Sequence, residues 1–138
     1  MRRIIIMFFF IFLFSGYAEA REKEKFYQTQ WCTAHHGQME YRLHDNTRVD
    51  CLTDEYAVEF DFSYKWAEAV GQSLYYAEIT GKKPMVVLII RGDKDFHFLV
   101  RLLILAKKYG ITVETMEETK SEKTVVSCID YSVFGWMR

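Results

Sequence analysis

Residues 85 to 90 read MVVLII. Six apolar positions in succession leave an extended chain no face to turn to water, so a strand here must be covered on both sides. The flanking segments supply the covers. Upstream, Trp66, Val70, Leu74 and Ala77 fall four, four and three apart on one helical stripe that ends near Gly81. Ser63 or Asp61 is placed to cap its start. Downstream, Asp93 and Asp95 open a second helix, FHFLVRLLILAKKY, which Gly110 closes before the strand ITVET.

The preceding third of the chain is built differently. KFYQTQWCTAHH, Lys25 to His36, reads as a helix turning Phe26, Trp31 and Cys32 inward, with Gly37 at its end. Three short extended runs follow, QMEYRL, TRVDCLT and YAVEFDF, separated by the turn-forming HDN and TDE. In the third, side-chain alternation sends Val58, Phe60 and Phe62 to one face and Glu59 and Asp61 to the other. The order helix, three strands, helix, strand, helix, strand predicts an α/β fold. Its mixed sheet joins an antiparallel three-strand meander to parallel crossovers, with helices on both faces.

Both ends stand apart from this unit. MRR, an apolar run of eleven residues and Ala18-Glu19-Ala20 have the layout of a cleaved signal peptide over residues 1–20. Eleven residues fall short of the roughly 20 that a membrane span needs. The expectation is an exported protein, periplasmic or secreted, with no stable membrane span after cleavage. Residues 21–116 then form the α/β domain, and 117–138 a charged link, EETKSEK, leading to a C-terminal edge strand or tail. The 18 basic and 19 acidic residues of the whole chain fall to 16 and 18 once Arg2, Arg3 and Glu19 are set aside. Nucleic acid as a partner gains no support from that balance, because phosphate binding is usually driven by a basic surface. Cys32, Cys51 and Cys128 in an oxidising compartment give one disulfide and one odd thiol. Of the three pairings, Cys32 with Cys51 is favoured, since it would tie the first helix to the sheet. No CxxC zinc pattern occurs.

The chemistry centres on acids. Asp50 lies in the second strand and Glu59 and Asp61 on one face of the third, so neighbouring strands would bring three carboxylates to one end of the sheet. Oxygen-rich clusters suit Mg²⁺ or Mn²⁺. Ordinary alternation in a half-exposed strand would give a solvated acidic face instead. In the next helix Lys65, Gln72 and Tyr76 fall at i, i+7 and i+11, opposite the Trp66 stripe. His35 and His36, adjacent in sequence, read as an exposed loop.

RVDCLTDEYAVEFDFSYKWAEAVGQSLYYA, residues 48 to 77, resembles the core of the PD-(D/E)XK nuclease-like superfamily, the restriction-endonuclease-like fold. Its members share a helix-strand-strand-strand-helix-strand core, an Asp on the second strand, Glu-x-Lys on the third, and often Gln and Tyr in the next helix. The resemblance spans residues 26 to 116. It matches Asp50 and Glu59 to the acids and Gln72 and Tyr76 to the helix positions. Asp61 stands where the family has its lysine; in the family that lysine can move to the following helix, which points to Lys65. Members often add an acid from the first helix, for which Glu40 is the candidate, although it falls on the first strand.

The resemblance therefore implies phosphodiester hydrolysis by Asp50, Glu59, Lys65 and Gln72. It also implies Mg²⁺ or Mn²⁺ held by Asp50, Glu59, Asp61 and Glu40. Two other readings stand beside it: a catalytically inactive nuclease-like binding or assembly module, and an exported protein of unrelated mixed α/β fold whose acids are ordinary surface.

Overall fold

A computed structural model describes residues 23–118. The expected signal peptide and nearly all of the C-terminal link and tail lie outside the described residues. The described chain runs α1 (residues 23–34), β1 (Gln38–Arg42), β2 (Arg48–Leu52), β3 (Tyr56–Phe62), a 3-10 turn (Ser63–Lys65), α2 (Trp66–Thr80), β4 (Lys83–Ile90), a second 3-10 turn (Asp93–Asp95), α3 (Phe96–Tyr109) and β5 (Thr112–Glu117). The five strands lie in sequence order across one sheet. β1, β2 and β3 are antiparallel, and β3, β4 and β5 are parallel.

β4 is held between β3 and β5, and Met85 to Ile90 are all buried. Met85, Val87 and Ile89 enter the layer under α1, where they meet Tyr27, Trp31, Phe60 and Phe62. Val86, Leu88 and Ile90 enter the opposite layer, with Ala69 and Val70 of α2 and Leu99 and Leu102 of α3. The unbroken apolar run thus serves two cores at once. Gly81 and Gly110 close the two helices in the left-handed conformation, at φ 67° and 68°.

Two local expectations are corrected. Phe26 points outward, 42 % exposed; Tyr27 and Trp31, four apart, form the inward stripe, and residue 26 is rotated about 100° from it. Neither Ser63 nor Asp61 caps α2. A full 3-10 turn intervenes, the Ser63 hydroxyl donates to the Asp95 carboxylate and Asp61 pairs with Lys65. β5, Thr112–Glu117, begins one residue later and ends two residues later than the expected strand ITVET, residues 111–115.

Cys32 of α1 and Cys51 of β2 form a disulfide, with Cα atoms 5.8 Å apart. An added Cβ at Gly37 would collide with both sulfurs, so the turn after α1 must be side-chain-free to let the bridge sit there. The bridge closes a loop across a sequence separation of 19, which chain entropy values at roughly 3 kcal/mol. The double variant Cys32→Ala/Cys51→Ala is expected to lose about that much stability in urea unfolding. A midpoint equal to that of the parent would rule the clamp out as a stabilising element. Among the described residues no helix is long and apolar enough to cross a membrane.

Candidate active site

The ladder between β2 and β3 is short. It pairs Cys51 with Val58 and Leu52 with Ala57, and it does not continue to Asp50. There the Asp50 side chain takes over, Oδ2 accepting a hydrogen bond from the Phe60 main-chain N–H at 3.0 Å. A carboxylate standing in for a backbone acceptor lets the strands splay without stranding a buried donor. Side-chain alternation breaks at the same point. Val49 packs beside Ala57 and Tyr76, whereas Cys51 packs under α1. On the other flank, β1 faces this level with Glu40, whose φ is +53°, between the pairs Met39–Cys51 and Tyr41–Val49.

The splay opens a pocket of about 390 Å³. β2 supplies Asp50 and Arg48, β3 supplies Glu59 and Asp61, and α2 supplies Glu68, Gln72 and Tyr76, with Lys65 just before it. α1 adds Glu24, Lys25 and Gln28, β1 adds Glu40, and the β1–β2 turn adds Asn46 and Thr47. Every catalytic and metal candidate from the sequence therefore lines one cavity. The disulfide cysteines flank it.

The acids are not a solvated face. Glu59 is 5 % and Asp61 2 % exposed. Glu59 Oε2 and Gln72 Oε1 are buried without a hydrogen-bond partner, and Asp61 Oδ1 has only its ion pair with Lys65. Loss of water and mutual repulsion favour the protonated carboxyls. Burial pushes Asp50 up to about 7 against the Phe60 hydrogen bond, with Glu24, Glu40 and Asp61 adding to the rise. Burial, then Asp50 and Asp61, push Glu59 well above the usual carboxylate range. Tyr76 is raised to about 12 by burial and by Glu59 and Asp50.

Lys65 Nζ lies 3.1 Å from Asp61 Oδ1 and 3.8 Å from Glu24 Oε2. The two ends of the Asp61 pair respond differently. Asp61 is raised to about 7, because its burial outweighs the lysine, while the partly exposed Lys65 is held above its ordinary value by Asp61, Glu24 and Glu68 despite some desolvation. Glu40 pairs with Arg48 at 2.9 Å.

As a donor set for a hard cation, Asp50 and Glu59 fit: a half-buried and a buried carboxylate that repel one another, the second with a spare oxygen. Mg²⁺ needs only one or two carboxylates if it keeps several waters. Asp61 and Glu40 fit less well, each being engaged by a cation. Among the described residues, no three His, Cys, Asp or Glu side chains are grouped into a ready-formed metal site. His35 lies elsewhere, stacked 3.7 Å from Trp31.

Glu24, Gln28 and Glu68 are among the pocket residues that the sequence did not assign to the site. Glu24 is the acid that the first helix contributes, and it precedes the expected helix start by one residue. Gln28, buried on α1, and Glu68, on the Lys65–Gln72 face of α2, carry no sequence pattern of their own. No family model, curated protein or solved structure matches the chain.

Proposed function

We propose that this pocket is a divalent-cation site of the PD-(D/E)XK type, and that the chain is a small exported metal-dependent nuclease hydrolysing phosphodiesters. The observation that carries the reading is the buried, unpartnered Oε2 of Glu59 in the cavity that Asp50 also lines. The order α1, β1, β2, β3, α2, β4 follows the core of that superfamily, which supports the restriction-endonuclease-like assignment.

Asp50 and Glu59 would hold Mg²⁺ or Mn²⁺, which when bound polarises a phosphodiester and lowers the pKa of water. Lys65, at the pocket rim, would orient the attacking water or offset charge on the phosphoryl oxygens. Gln72 would use its free Oε1 to position substrate or the lysine. Asp61 keeps the Lys65 ammonium charged and aimed into the cavity.

A second reading rests on the same ion pair. With its ammonium neutralised by Asp61, Lys65 would be spent, and the domain would be an inactive binding or assembly module. The test is Mn²⁺ titration of the purified protein, then incubation with single- and double-stranded DNA and RNA in Mg²⁺ or Mn²⁺. The nuclease reading expects cation binding and cleavage, with Lys65→Met lowering the rate on the order of a hundredfold while Mn²⁺ binding stays within a few-fold. Binding without cleavage selects the inactive module. No binding at all leaves the unrelated α/β fold.

A further inference from the structure

We propose that Gln28 is a positioning residue of the pocket: its amide fixes the main chain of Asp50 where β2 leaves β3, and thereby aims the Asp50 carboxylate. The inference rests on the cation-site reading for its functional meaning, although the geometry stands without it.

Gln28 is 3 % exposed on the inner face of α1. Its Nε2 donates to the main-chain oxygen of Asp50. The carboxylate of the same residue is held from the other side by the Phe60 N–H. Asp50 is therefore pinned twice, by α1 through its carbonyl and by β3 through its side chain. One helical turn beyond Gln28, Cys32 is bonded to Cys51, the residue after Asp50. The carbonyl that Gln28 holds belongs to the Asp50–Cys51 peptide plane. The disulfide anchors that plane at the Cys51 Cα, and the Gln28 hydrogen bond holds its carbonyl end.

A stability role alone does not account for glutamine here. A buried amide is costly unless bonded, and an apolar residue of equal length beside Tyr27 and Trp31 would fill the same space. What the apolar residue cannot do is hold a carbonyl at the place where the sheet ladder stops.

Gln28→Met keeps the length and removes the donor; Gln28→Leu serves if the methionine variant does not fold. Two readouts are taken in the full chain. Without metal, amide hydrogen exchange at Phe60, relative to Val86 in β4, is expected to quicken about tenfold as the Asp50 carboxylate loosens. With Mn²⁺ as the probe, affinity is expected to fall roughly 10- to 100-fold, the usual effect of losing a residue that orients a ligand. Leu99→Ala, remote on α3, controls for lost stability and should change neither relative readout. Phe60 exchange unchanged in the Gln28 variant would overturn the proposal. Should the parent protein bind no Mn²⁺, the cation reading fails while Phe60 exchange still decides the positioning role.

Discussion

On the proposed nuclease reading, Asp50→Asn is expected to abolish metal-dependent cleavage, by a factor on the order of a thousand, and to leave the fold intact. Asparagine has the same shape and keeps an oxygen that can accept from the Phe60 N–H, so the junction between β2 and β3 survives. What disappears is a negative charge on one of the two carboxylates best suited to a hard cation. Losing several kcal/mol of electrostatic stabilisation at the reacting phosphate corresponds to that rate change. Stability should hold or rise, because burial already disfavours the ionised form of Asp50. The measurements are Mn²⁺ calorimetry, nucleic-acid cleavage and thermal melting on one preparation. Cleavage equal to the parent's would remove this pocket from the chemistry altogether.

In the absence of divalent metal, the protein is expected to become less stable as pH rises from about 4 to about 7. Asp50, Glu59 and Asp61 all have folded-state values above the unfolded ones, and Asp50 and Asp61 reach about 7 from 3.8. Such groups keep their protons longer in the folded chain. Their favourable contribution is fully present below the unfolded value and is lost as pH climbs through the folded one. Each titrating carboxyl can tilt stability by at most about 1.4 kcal/mol per pH unit. Asp45 acts in the opposite sense: hydrogen bonds from Tyr75 and Thr47 hold it at about 2, so its contribution is present above 3.8 and lost as pH falls through 2. Urea midpoints in chelator should therefore peak near pH 4 and decline toward neutrality. Adding Mn²⁺ at pH 7 should restore much of the loss, because a bound cation relieves the same repulsion that protons relieve at pH 4. Midpoints that rise steadily from pH 4 to 7 would show that the acids are not buried together.

MVVLII determined that a buried strand runs through the domain, and the crossover helices on either side determined its parallel neighbours. YAVEFDF determined that Glu59 and Asp61 share a face, and the spacing of Lys65, Gln72 and Tyr76 determined that they share another. These are repeats of two or 3.6 residues, and the chain carries them locally.

The character of the site was decided elsewhere. Whether Glu59 meets water depends on α2 packing over its face of the sheet, and nothing in its own strand reports that. The break at Asp50 was hidden because alternation predicts an ordinary strand there, and the departure is held by groups from other segments, the Phe60 N–H across the gap and the Gln28 amide. Gln28 and Glu24 stayed invisible for the same reason, since their role comes from contact with residues more than twenty positions away. Periodicity is fixed by backbone geometry one residue at a time, whereas burial, repulsion and a missing ladder partner exist only once distant segments have packed.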